Sequence, residues 1–257
     1  MDLVIVGAGR AGGSLARAST VAGHRLAGVL SRRPQTYAPT LDWDNPLPHS
    51  DLVVIAVSDS AIREVATRLA GNWTPSVPAI HVSGFASVAE LGAVADAGAA
   101  VGSFHPLQTL PDPERGAEAL SGSWAAVTTA DDALADLLTG YAATLGMRSF
   151  PLADEAKGRY HAAAAAGANY VVEALAVAAD LLAAAGVEME VMQPLTTRVV
   201  ENVFAIGPGA SLTGPIARGD LATVAGQMAA ADSVSEQVGH QFRLLAAATA
   251  ARVGLEL

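Results

Sequence analysis

The chain has no cysteine, which removes disulfides, thiolate nucleophiles and Cys-built zinc sites together. Aromatic residues make up only 5% and charged residues only 16% of its 257 positions. Cations are the scarcer sign, with 15 Lys and Arg against 25 Asp and Glu and a formal net charge of −10. That balance argues against a nucleic-acid or anionic-membrane partner, since both are held by clustered cations. Met1 and Asp2 lead straight into the first apolar run with no leader before it, so a cytoplasmic location is expected. The most membrane-like stretch, Ala162 to Ala185, carries Glu173 and Asp180 and reads as a buried helix. What the chain does have is apolar residues, 51% of the total, enough for a sizeable core and too many for a disordered chain.

The clearest motif comes first. Leu3 to Val6 reads as a buried strand, followed at once by Gly7-Ala8-Gly9-Arg10-Ala11-Gly12 and a helix-compatible segment to about Ala22. In a dinucleotide turn Gly7 makes the tight exit from the strand and Gly9 admits a pyrophosphate close to the backbone. Gly12 lets the helix pack on the sheet. The free N–H groups at the helix start then face the phosphates. The position of the motif, after a strand and opening a helix, is the context that gives it weight. A second strand, Arg25 to Leu30, ends in Ser31-Arg32-Arg33 with no carboxylate. A hydroxyl and two guanidiniums suit a ribose 2′-phosphate, so NADP(H) is expected over NAD.

Asp51 to Val57 is a continuous apolar strand leading into Ser58-Asp59-Ser60, and Val57, Ser58 and Asp59 are expected to border the cofactor. A strand over Val77 to Val82 delivers Ser83, and Ser87-x-x-Glu90 reads as a capping box. Ala99 to Ser103 reads as a strand handing His105 to a loop that faces the substrate. Ser123 to Thr128, a helix over Asp131 to Leu145, and Met147 to Pro151 complete this half.

From Asp154 the pattern turns helical. One helix is expected over Asp154 to Ala185, stopping at Gly186, and another over Glu188 to Ile206 interrupted at Pro194. Lys157 and His161 are four residues apart and share a face, with Asn169 on a neighbouring part of the surface. The Gly207–Asp220 loop can place Arg218 in a cleft, suited to a substrate carboxylate, while Asp220 caps a helix over Leu221 to Ala230. Ser233-x-x-Glu236 reads as the box opening the last helix. The fold class is therefore α/β: a doubly wound, mainly parallel Rossmann domain at 1–152, then an all-helical domain at 153–257.

Taken together, these residues resemble the 6-phosphogluconate-dehydrogenase-like superfamily, in which an NADP-binding Rossmann domain precedes a helical dimerisation domain. The resemblance implies a catalytic Lys157 and a homodimer formed through the C-terminal helices. The superfamily's usual asparagine, four residues after the lysine, is replaced here by His161. Ser103-Phe-His105-Pro-Leu-Gln108-Thr109, Tyr160-His161-Ala-Ala-Ala and Leu212-Thr213-Gly-Pro-Ile-Ala-Arg218-Gly-Asp220 look more closely like a bacterial family of Rossmann-type oxidoreductases. The C-terminal half of that family is a domain of unknown function. Its relatives include ketopantoate reductases, pyrroline-carboxylate reductases and prephenate dehydrogenases. The resemblance implies an NADPH-dependent oxidoreductase of a small carboxylate-bearing carbonyl compound, with 2-ketopantoate one candidate. Lys157 or His161 would then donate the proton, Arg218 would hold the carboxylate, and Asn169 and His105 would orient the substrate. A lowered Lys157 pKa would follow from a neighbouring histidine and cofactor. An imine reductase of the pyrroline-carboxylate type, a deazaflavin-dependent reductase and a non-catalytic dinucleotide-binding sensor dimer are the other readings. No metal is expected.

Overall fold

Along β1 (Asp2–Val6) successive side chains enter two different cores. Leu3 and Ile5 join Leu15, Val54, Ile80, Phe104 and Leu138 on one face, and Val4 and Val6 join Ile55, Ile62, Leu69 and Val94 on the other. Burial on both faces explains the unbroken apolar runs of β1 and β3. The computed structural model describes residues 1–257. The remaining strands are β2 (Arg25–Leu30), β3 (Leu52–Ile55), β4 (Ala79–His81), β5 (Val101–Leu107), β6 (Trp124–Thr129) and β7 (Arg148–Pro151). The connecting helices are α1 (Arg10–Val21), α2 (Ile62–Ala70), α3 (Gly92–Asp96), α4 (Pro113–Leu120) and α5 (Asp132–Thr144). Through Leu15, Leu120 and Leu138, helices α1, α4 and α5 cover the first face, while α2 and α3 cover the second.

The sheet order is β2-β1-β3-β4-β5-β6-β7. β1 to β5 run parallel, β6 is antiparallel to β5, and β7 follows β6. The chain leaves β1 outward to β2 and then crosses back to β3, so the crevice between the ends of β1 and β3 is the topological switch point where such sheets bind ligands. This is the doubly wound Rossmann architecture.

β5 departs from expectation. It starts at Val101 and continues through His105 and Pro106 to Leu107, so His105 lies in a strand and not in a loop. β4 pairs with β5 only as far as His81↔Ser103, while β6 accompanies β5 up to Leu107. Beyond Ser103 one edge of β5 is therefore open, and a residue without an N–H is tolerated there.

The helical part is more broken than the sequence suggests. A single 3₁₀ turn, Asp154–Ala156, leads into α6 (Lys157–Gly167), and α7 (Asn169–Ala184) follows after an interruption at Ala168, whose φ is −121° and ψ −72°. Pro194 does not interrupt α8 (Gln193–Ile206) but sits in its first turn, where a missing N–H costs nothing. Two short helices, α9 (Pro208–Ser211) and α10 (Pro215–Arg218), occupy the expected loop before α11 (Leu221–Val234) and α12 (Glu236–Arg252). Asp220 caps α11 as expected, accepting from Thr223 N at 3.1 Å. The cap of α12 is Ser235 and not Ser233: Ser235 Oγ accepts from Val238 N at 3.1 Å, while the Ser233 hydroxyl donates to Ala230 O.

Two compact units result, Met1–Ala165 and Ala166–Leu257, so the first turns of α6 pack with the sheet, beyond the boundary expected near Leu152. The core of the second unit is small, built from Val177, Ala231 and Val238 with Leu181, Phe242 and Leu245 against them. An open apolar cavity of about 240 Å³ adjoins it, lined among others by Leu181, Ile216 and Phe242. Large apolar side chains of this unit stay exposed: Val172 at 67%, Leu195 at 57% and Phe204 at 87%. The segment Asp154–Ala184 is long and apolar enough to cross a membrane, and an 18-residue stretch within it has a mean hydropathy of 1.4 with only 6% of its residues buried. The expected buried helix is thus largely uncovered within one chain.

Candidate active site

The glycine turn has the geometry its sequence implies. Gly7 has φ +100°, and a Cβ there would lie 2.4 Å from the Ala56 carbonyl oxygen, at the end of β3. Gly12 is tighter still: a Cβ would meet Gly7 O at 1.9 Å. Gly9, the N-cap of α1, instead faces open space, with no atom within 4 Å of an added Cβ. Two glycines thus close the βα turn, and the third leaves its approach free for a phosphate group. Ala8 and Ala11 are half-buried at the turn, and Arg10 is exposed at the first position of α1. At the end of β2 the Ser31 hydroxyl donates to Arg33 O, and Gln35 Nε2 donates to the same oxygen at 2.9 Å. Arg32 and Arg33 are exposed, and like Arg10 they enter no ion pair. In a chain with net charge −10, three free guanidiniums beside a dinucleotide turn form an anion-selective corner. The residues present therefore fit a dinucleotide with an additional phosphate. Val57 is half-buried after β3, and Ser58 and Asp59 are exposed beyond it.

A second group of side chains gathers at the ends of β4 and β5. Lys157 is the only lysine in the chain. Its side chain is 1% exposed, and Nζ donates to Ser83 O at 3.0 Å and to Ser103 Oγ at 2.6 Å. Asp154 fixes the start of the helix that delivers it, accepting from Val88 N at 3.0 Å and from the Ser87 hydroxyl. Ser87 also accepts from Ala89 N, but Glu90 turns away to Arg63, so the expected reciprocal box is only half formed. Burial pushes the Lys157 ammonium down to about 8, with Asp154 and Asp59 opposing the shift. The cause is desolvation, not the neighbouring histidine.

His161 is exposed one turn further along α6. Its ring meets His105 at 6.0 Å and Phe85 at 6.0 Å, edge-on in both cases. His105 Nδ1 lies 2.8 Å from Tyr160 Oη. Gly84 allows this cluster to close, since a Cβ there would come within 2.8 Å of His105 Cε1 and Nε2 and 2.9 Å of His161 Cδ2. His81 is fully buried, its Nδ1 accepting from Ser83 N at 3.2 Å and its Nε2 without a partner. Burial, then the Lys157 charge, pushes His81 down to about 4. His105 is likewise pushed down to about 4 by burial, with His161 and Lys157 adding to it. Both histidines are therefore neutral at pH 7.

Lys157, His161, His105 and Ser83 thus come together. Asn169 and Arg218 lie in the second unit, and both are exposed there. Arg218 is not a buried arginine within the chain, nor is it ion-paired with Asp220. Ser103, Gly84, His81 and Tyr160 also belong to the group around Lys157, although no sequence motif assigns them a role. Gly84 directly after Ser83, at a strand end, was an available signal, as was the solitary lysine.

Residues 123–249 match the DUF2520 family, a domain of unknown function. The match begins at β6 and so spans the end of the sheet unit as well as most of the helices. None of the curated proteins matches the chain by sequence. Among solved structures it is similar to a protein of Bacteroides fragilis provisionally named an NADP oxidoreductase, at 22% identity over 97% of this chain and 98% of that one, with a TM-score of 0.84. It is similar to the Plasmodium falciparum pyrroline carboxylate reductase with NADP bound, at 14% identity, 98% of each chain and a TM-score of 0.66. It is also similar to a reductive aminase of Aspergillus terreus in complex with NADPH4, cyclohexanone and allyl amine, at 16% identity, 99% of this chain, 96% of that one and a TM-score of 0.68. The chain thus carries a DUF2520 match over residues 123–249 and shares with these structures a Rossmann-type fold, a sheet unit followed by helices.

Proposed function

We propose that the chain is a cytoplasmic NADPH-dependent reductase of a small carboxylate-bearing carbonyl compound, 2-ketopantoate being one candidate, and that it acts as a homodimer. The observation that carries this reading is a phosphate-ready glycine turn and a group of histidines around the buried Lys157 at the same end of one sheet. When bound, a reduced nicotinamide supplies the hydride. The N-terminus of α1 and Gly9 hold the pyrophosphate, and Ser31, Arg32 and Arg33, with Arg10 beside them, hold the 2′-phosphate. Val57, Ser58, Asp59 and Ser83 border the rest of the cofactor. The Lys157 ammonium stands where negative charge develops on the substrate oxygen. Protonation of that oxygen falls to the group around Lys157 and His161. A carboxylate partner and an orienting amide are the roles proposed for Arg218 and Asn169. A second copy covers the exposed Val172, Leu195 and Phe204, since an apolar surface of this kind is an interaction face in a soluble protein.

Imine reduction is the second reading. The withdrawal of Lys157 from solvent favours it, because a protonated imine needs no proton donor. The likeness to a pyrroline carboxylate reductase and a reductive aminase supports it too.

The test is a screen of the purified chain with NADPH and NADH against 2-oxo acids and cyclic imines. NADPH oxidation with one of these classes is expected. Arg33→Glu should weaken NADPH about tenfold or more, the loss of one charge-assisted phosphate contact, and leave NADH unharmed. Tight NADPH binding with no oxidation across the panel would support a sensor instead.

A further inference from the structure

Neither proton donor suggested by the sequence is well placed to give one. Lys157 Nζ is held beneath the surface by Ser83 O and Ser103 Oγ, and its side chain is 1% exposed. His161 is exposed, and no hydrogen bond fixes its ring. Tyr160 differs from both. It is half-buried, its Oη lies 2.8 Å from His105 Nδ1, and its ring is held edge-on by Phe150 at 5.9 Å and by His105 at 5.5 Å. His105 is itself seated against Gly84, where no side chain would fit. The pair stands on the open edge of β5 beyond the end of β4, next to the buried Lys157 charge.

We propose that Tyr160 is the proton donor of the carbonyl reduction and that His105 positions its hydroxyl by donating Nδ1–H to Oη. The assignment rests on the reductase reading. With Nδ1–H directed at the phenol oxygen, the phenol proton is free to face a substrate. The carbonyl carbon accepts the hydride of a dihydronicotinamide, which is oxidised, and the π pair moves onto oxygen. The Tyr160 Oη–H bond breaks as the product O–H bond forms. His105 remains neutral with its Nδ1–H on the phenolate, and a proton from solvent restores the tyrosine. Burial lifts the Tyr160 hydroxyl to about 12, so it keeps its proton at neutral pH and yields it only to a strong base such as an alkoxide. Lys157 then acts as a fixed charge and not as the acid.

Tyr160→Phe keeps the ring packing and removes the proton. With NADPH, its rate on 2-oxo acids should fall about 100-fold or more, the range for losing a positioned acid. Its rate on N-methyl-1-pyrrolinium, a permanent iminium needing only hydride, should stay within about threefold of wild type, a difference of under 1 kcal/mol. Equal losses on both substrates, or no loss on either, would overturn the assignment and leave the reductase reading intact. A wild type inert toward every substrate would sink both. A measurement independent of turnover is the ¹⁵N spectrum of the cofactor-free protein. His105 should appear as the Nδ1–H tautomer, whereas an Nε2–H tautomer commits the phenol proton to His105 and refutes the proposal.

Discussion

Lys157→Met should give a protein that unfolds at higher denaturant concentration and turns over at least about 100-fold more slowly, the scale of losing one preorganised charge. Burial lowers the folded-state pKa of this lysine from 10.5 to about 8, so the unfolded chain holds the proton more tightly. Below pH 8 the folded state therefore carries a buried charge at a cost of about 3 kcal/mol. Methionine fills a similar volume without that cost, but it also gives up the hydrogen bonds to Ser83 O and Ser103 Oγ. At about 1 kcal/mol each, these losses leave a net gain near 1 kcal/mol at pH 7. The gain should shrink as pH rises above 8 and reverse before 10.5, above which the wild-type lysine is neutral in both states and only the lost hydrogen bonds, about 2 kcal/mol together, separate the two proteins. Urea titrations at pH 7 and pH 10.5 separate these regimes. A variant less stable than wild type at pH 7 would mean that the lysine is a net structural asset, and the inferred compromise between stability and activity would be wrong.

The second large effect lies on the acid side. His81 is neutral and fully buried in the folded state, with its pKa pushed from 6.5 to about 4. Between those values the unfolded chain binds a proton that the folded chain refuses. Stability should thus be complete above pH 6.5 and fall as pH falls, by about 3 kcal/mol from His81 alone on reaching pH 4. His105 acts in the same direction over the same window. Asp2 and Asp220, whose carboxyls are held below their ordinary value, lose their contribution only at still lower pH. Denaturant midpoints at pH 7 and pH 4.5 measure the effect, and His81→Asn should flatten the dependence. An unchanged slope in that variant would show that the acid sensitivity has another source.

Local features were the legible ones. The turn at Gly7, Gly9 and Gly12 needs only its own dozen residues and the strand before it, so its geometry is legible locally. The burial of Lys157 was hidden because its partners arrive from elsewhere: Ser103 lies 54 residues away and Ser83 74 residues away in the chain. Tyr160 sits beside His161 in the sequence, yet its role depends on His105, 55 positions distant. A proline after His105 points to a loop, since proline usually ends a strand, and only the early end of β4 creates the unpaired edge that accepts it. At Ser233 and Ser235 two adequate caps compete, and the continuation of α11 to Val234 decides for the second. Asn169 and Arg218 have the chemistry of a substrate site, but both are exposed on the second unit, whose covering is not encoded by any neighbour in sequence.

A chain with one lysine has only two amines, and Lys157 is one of them, sealed between two strands and a helix; the other is the N-terminus, 3.2 Å from His24 Nδ1. Acylating reagents should therefore leave the folded molecule almost unlabelled at its side chains and mark Lys157 only when the sheet unit opens around α6. The rate of that labelling, read by mass spectrometry without any mutation, is a natural clock for local opening at the place where the chemistry is proposed to occur.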